Sequence, residues 1–248
     1  KHYQTVIIGK IVLMFHTLEL LTKDTLDEVS ARCVLRGILD SVTAYCFIYQ
    51  RPGISDMLFR HYLYALDGWR VYKKSVIAIS EENDYKKKED YACDFVISQI
   101  EEKLRSHTYY CKDRTTVETL MQNANWKYES LQNPRSLKYS ELYTVVGFNT
   151  SSIQYLQGYL SQFVHGLSLS NRSLTDTEQM KRLLYESILI ADRFIQAIFQ
   201  TFNNKGMLTN FLCSNKVLEI LKTHANRGKK ISLLVDVAYI EFSGDKKN

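Results

Sequence analysis

This sequence predicts an all-α fold, an antiparallel bundle of about seven helices, several of them longer than 20 residues. Three observations carry that prediction. The chain has 248 residues but only 2 prolines and 10 glycines, too few for the turn every eight to twelve residues or so that a β-sandwich or barrel requires. Apolar residues recur at three- and four-residue steps through several long segments. Helix start and stop signals fall between those segments. With 45% hydrophobic and 24% charged residues, the composition excludes disorder as the main state and supports a core that needs no disulfides. Residues 1–248 read as a single helical domain.

The first helix is predicted from Tyr3 to Leu21, where Val6, Ile7, Ile11, Met14, Phe15, Leu18 and Leu21 keep the helical period. Thr25-Leu26-Asp27-Glu28 reads as a capping box opening a second helix from Leu26 to about Tyr49. Arg51-Pro52-Gly53 ends it with a turn. A third helix starts near Ser55 and carries Met57, Leu58, Tyr62, Leu66, Trp69 and Val76 toward Ile79. The charged stretch from Glu81 to Asp90 turns the chain into a fourth, ending around Tyr110. Residues 111–147 are the least regular part, with short helices at Thr116–Gln122 and near Ser140, and mark an insert or lid. A helix from Ser151 to about Leu169 follows, then a second capping box at Thr175–Glu178 and a long helix to Phe202. One more helix is expected over Thr209–Ala225. The β-branched stretch 231–242 suits helix or strand, with helix favoured because no partner strand is in sight.

Charge and cysteine content narrow the function classes. A formal charge of +5, from 32 basic and 27 acidic residues, is mild. The densest basic run, Lys86-Lys87-Lys88, is flanked by Glu81, Glu82, Asp84, Glu89 and Asp90, which cancel its field beyond a Debye length of ~8–10 Å. A solvated helix start is the reading there, not a nucleic-acid patch. Cysteines 33, 46, 93, 111 and 213 are odd in number and form no C-x-x-C pair, as expected of buried thiols in a reducing, cytoplasmic setting. The longest apolar run, Val6 to Phe15, is interrupted by Gly9-Lys10, so no membrane association is expected.

No phosphate-binding glycine loop, no G-x-S-x-G elbow, no H-E-x-x-H and no Glu-x-x-His occurs. No cofactor or metal is therefore expected. His16 with Glu19, and His107 with Cys111, place two ligand types on one helix face but lack the further ligands of a metal site. His107 and Cys111 read as a histidine beside a buried thiol. Tyr62, Tyr64, Trp69 and Tyr72 lie near Arg60, His61 and Arg70, a pattern suited to base stacking. Rings buried with hydroxyls wet account for the same tyrosines.

Two stripes remain. Between Val29 and Gln50 the charged residues are Arg32, Arg36 and Asp40, four apart, with Thr43 next on the same line. The rest of that helix is apolar nearly all round, the mark of a buried helix. Its charged stripe then faces water through a narrow gap or points into an internal polar seam, where charges must pair. The second stripe is Gly158, Ser161, His165 and Ser168, opposite Leu156, Leu160, Phe163, Val164 and Leu167. Small residues there admit another backbone. Ser161 and His165 form either an acid–base and hydroxyl pair or a satisfied core histidine with its neighbour.

At these stripes the chain resembles an uncharacterised bacterial domain-of-unknown-function family of helical proteins. Its members read R-x-x-x-R-x-x-x-E on one helix and, much later, S-x-x-x-H followed by small residues. The matching residues are Arg32, Arg36 and Asp40, and Ser161, His165 and Gly166. Asp40 stands where that family has Glu. The likeness spans about residues 20 to 200 and implies an all-helical fold with a shared polar centre. A looser likeness is to HEPN-type helical domains, many of which act on RNA in toxin and phage-defence systems. Their R-x(4–6)-H motif is absent, since none of the six histidines has an Arg five to seven residues before it. Two functions stand as expectations. One is a binding or regulatory module, tied to stress or defence, whose polar centre takes a small anionic ligand or RNA and whose exposed helix faces suit a homodimer. The alternative is a phosphodiester hydrolase, with Arg32 and Arg36 neutralising charge, Asp40 orienting and His165 as acid or base beside Ser161.

Overall fold

The computed structural model describes residues 2–50, 53–79, 84–148, 150–166 and 177–203. They form an all-α fold of nine α-helices and no strand. The helices are α1 (His2–Leu20), α2 (Glu28–Tyr49), α3 (Ile54–Ile79), α4 (Asp84–Arg105), α5 (Thr108–Lys112), α6 (Arg114–Gln122), α7 (Tyr139–Val145), α8 (Thr150–Val164) and α9 (Thr177–Asn203). Helices α2, α3, α4 and α9 exceed 20 residues. The chain divides into two compact units, Lys1–Gln50 with Tyr143–Asn248, and Arg51–Leu142.

In the first unit α2 is the centre, packed by α1, α8 and α9. Gln4 donates to the Tyr45 hydroxyl at 3.0 Å, and Met14 lies against Gly37; α1 thus runs antiparallel to α2. Arg32 lies beside Gln179 and Gln50 beside Gln200, so α9 runs parallel to α2. Arg193 on α9 joins the C-terminal end of α7 to the end of α2 by donating to the Val146 carbonyl at 2.6 Å and to Gln50. From there α8 returns until Tyr159 and Phe163 flank Arg32. Three neighbours explain why α2 buries Leu35, Ile38, Leu39 and Val42 as well as the whole run from Thr43 to Tyr49.

In the second unit α3 and α4 form a long pair. Arg60 on α3 is buried and pins the segment after α6. Its guanidinium pairs with Asp56 at 3.0 Å, donates to the Tyr128 carbonyl at 2.6 Å and lies 3.7 Å over the Tyr128 ring. Tyr128 in turn donates to Asp56 at 2.7 Å, and a single antiparallel bridge links Tyr128 to Ser136. Arg70 donates to the Met121 and Gln122 carbonyls at 2.6 and 2.9 Å, closing the C-terminal end of α6 with positive charge.

Several boundaries differ from expectation. The second helix does not open at Thr25: a π-helical turn, Leu21–Thr25, extends α1, and Leu26 turns left-handed at φ 52°. Asp27 then caps α2, its carboxylate accepting from the Ser30 N–H at 3.0 Å. The predicted fourth helix breaks after Arg105 because His107 takes an extended conformation and caps α5. The helix expected to reach Leu169 stops at Val164, since Gly166 adopts φ 60°, a left-handed terminator. The second capping box begins outside the described residues, as do Thr209–Ala225 and 231–242 entirely. One described helix, Gln4–Asp24, is long and apolar enough by length and composition to cross a membrane, at mean hydropathy 1.6. Reading the apolar run as ending at Phe15 missed this. The buried Ile11, Val12, Phe15 and Leu18 fall on one side of that helix.

Candidate functional site

The charged stripe of α2 becomes two groups that differ in depth. At its inner end Arg32 has no exposed surface. Its Nε donates to Glu28 at 2.7 Å, its Nη2 to Gln179 at 3.1 Å, and its Nη1 faces Glu186 at 3.5 Å. That last contact is an ion pair too long for a hydrogen bond, and leaves Arg32 Nη1 and Glu186 Oε2 without hydrogen-bond partners. The rings of Tyr159 and Phe163 cover the guanidinium at 4.7 and 5.1 Å. Arg182, mostly exposed, donates to Glu186 at 3.0 Å and balances the second carboxylate. This is the internal polar seam, with its charges paired.

One turn along, Arg36 pairs with Asp40 at 2.8 Å and donates to the Tyr143 hydroxyl at 2.9 Å. Tyr143 donates on to Asp40 at 3.4 Å. Burial raises the Asp40 pKa above its ordinary value, while Arg36 and Tyr143 pull it down. Asp40 retains about a third of its side-chain surface, so this group reaches solvent where Arg32 does not. Thr43, next on the stripe, is buried and donates back to the Leu39 carbonyl at 2.7 Å.

The second stripe does not converge with the first. Ser161 Oγ donates to its own helix, at the Gln157 carbonyl, at 2.9 Å. His165 lies beyond the last residue of α8 and is exposed. Among the described residues no hydrogen bond or ion pair joins its ring to Ser161, Arg36 or Asp40. Gly158 is open, with nothing within 4 Å of where a Cβ would stand, so no described backbone approaches there. Ser168 lies outside the described residues.

In the second unit the aromatic and cationic residues are engaged with one another. Arg60 and Arg70 hold backbone carbonyls as described, Tyr64 packs edge-on against Trp126, and Trp69 packs edge-on against Tyr72. A base-stacking surface loses its cations in this way. His107 is neutral by its geometry: Nδ1 accepts from the Tyr109 N–H at 3.2 Å, and Nε2 lies 3.0 Å from the Ser55 carbonyl, to which it donates. Cys111 is exposed, not the buried thiol expected beside it, whereas Cys46 and Cys93 are buried. A half-open cleft of about 390 Å³ lies between Asp67 on α3, the turn Asn123–Lys127 and Ser136. No group of three metal-ligating side chains exists among the described residues.

The fold and its polar groups define the protein as an all-helical one with a charged centre on α2. No family model, curated protein or solved structure matches the chain.

Proposed function

We propose that this protein is a helical binding module whose ligand site is the outer half of the α2 stripe. The observation that supports the reading is the difference in depth between the two groups. Arg32 is sealed and compensated by two carboxylates, so it is scaffold. Arg36 and Asp40, tied by Tyr143, form the pair that reaches solvent. An anionic group, such as the phosphate of a nucleotide or of single-stranded RNA, would take the place of the Asp40 carboxylate on the Arg36 guanidinium. The raised Asp40 pKa eases its displacement, because a carboxyl that protonates more readily gives up its cation at lower cost. Binding is favoured over hydrolysis because Ser161 bonds to its own helix and, among the described residues, no hydrogen bond or ion pair joins the exposed His165 to Arg36.

The test is fluorescence anisotropy with a labelled oligoribonucleotide, and calorimetry with ADP and ATP, on the wild type and Arg36→Ala. Loss of one charge-assisted contact should weaken binding by ~10–100-fold, and His165→Ala should leave it unchanged. Binding that survives Arg36→Ala in a folded protein, or no binding to any of these anions, would sink the reading.

A further inference from the structure

Helix α9 has two faces of opposite use. Met180, Leu183, Ser187, Ile190, Ala191 and Phe194 are buried on one side. On the other, Leu184 is 37% exposed, Tyr185 64%, Ile188 39% and Leu189 44%. Spaced at i, i+1, i+4 and i+5, these four make one contiguous apolar stripe. Single exposed apolar residues are ordinary on a protein surface, but a contiguous stripe framed by charge marks an interaction site. The frame here is specific. Lys181 lies one turn before the stripe and Asp192 one turn after it, both on the line of Ile188.

That order is self-complementary. Place a second α9 antiparallel to the first, with a two-fold axis on the outer face at the level of Glu186 and Ser187. Tyr185 then meets the other copy's Ile188 across the seam, and Leu184 and Leu189 flank it on opposite edges. Lys181 meets Asp192 at both ends, because the two charges stand about 16 Å apart along the helix, symmetric about the axis. An isologous contact requires this palindromic pattern. A partner of unrelated sequence would not require it. We propose that the outer face of α9 docks on the same face of a second copy of this chain, forming a two-fold dimer. Within one chain Lys181 pairs with Glu178 at 2.6 Å and Asp192 accepts from Gln196 at 2.9 Å. Both are exposed local contacts, of the kind that contributes little to stability. The inference is independent of the proposed ligand site, since no residue of the stripe belongs to it.

A single helix pair is a small interface, so the dissociation constant expected is on the order of micromolar. Sedimentation velocity of the full chain across that range should show a reversible monomer–dimer equilibrium. Ile188→Glu should abolish the dimer without lowering the thermal midpoint, because the residue faces outward. Lys181→Glu and Asp192→Lys should each weaken it by about tenfold or more, since each sets like charges against each other twice. The double variant Lys181→Glu/Asp192→Lys should restore it. A monomer at every concentration overturns the proposal, and so does a dimer insensitive to Ile188→Glu. Failure of the double variant to recover association overturns the antiparallel register.

Discussion

Two residues show how local chemistry sets a measurable quantity. Leu26 sits at φ 52°, half exposed, between the π-helical turn and the cap of α2. A non-glycine residue in the left-handed region carries about 1–2 kcal/mol of strain, and Leu26 has little packing to offset it. Leu26→Gly is therefore expected to be neutral or to stabilise by up to about 1 kcal/mol, read as a shift in urea midpoint. His61 works through protons. Burial lowers its pKa from 6.5 to about 4, so the folded chain keeps it neutral while the unfolded chain binds a proton. The contribution is complete above pH 6.5 and fades as the pH falls toward 4, amounting to at most about 3 kcal/mol. Stability measured across this window should fall for the wild type and fall less for His61→Gln. Equal slopes would show that other groups govern the decline.

At the scale of the element, the buried cluster on α2 sets the largest expected effect. Arg32→Ala takes the Arg32 cation from buried Glu28 and leaves Glu186 with Arg182 alone, a loss of about 3–5 kcal/mol. Replacing Glu28, Arg32 and Glu186 together by Leu, Met and Leu should return most of that stability, because an apolar core of similar volume carries no desolvation penalty. Chemical denaturation of the single and triple variants reads the difference directly. The sequence made part of this legible. Four-residue spacing aligned Arg32, Arg36 and Asp40, and the apolar circumference of α2 announced its burial. It did not reveal Glu186, Gln179 or Tyr143, which come from α9 and α7 across gaps of more than a hundred residues, where one helix's period holds no information about another's. Nor could it separate Thr25 from Asp27 as the cap, since both side chains can accept from an N–H two or three residues on. The helix after Gly147 shows the same limit. Its apolar period continues through Leu167, but the left-handed conformation of Gly166 stops it, and His165 is carried out of line.

The whole molecule is two cores in one chain. The first is built around α2; the second rests on the α3–α4 pair and on Arg60, which ties α3 to the Trp126–Glu129 backbone. Their demands on sequence differ. Helix α4 buries Cys93 and Leu104 while exposing Tyr91 and Phe95, and its first turns are dense in Lys, Glu and Asp, so most of its length is a solvated partner of α3. Helix α2 has no such freedom, because α1, α8 and α9 occupy its sides.

Placing α2 at the centre also sets an order in time. A backbone amide exchanges its hydrogen with solvent only when its own hydrogen bond opens, and peripheral helices open by fraying while the rest of the fold stands. The amides from Ile38 to Tyr49 cannot open unless α1, α8 and α9 leave together, which amounts to unfolding the unit. Their exchange rates therefore report the unit's global stability and should move in step under any destabilising substitution. The amides near the start of α4 should exchange earlier and ignore the same change. In this sense α2 is the slowest clock in the molecule, and its isotope pattern would date the unfolding of everything packed around it.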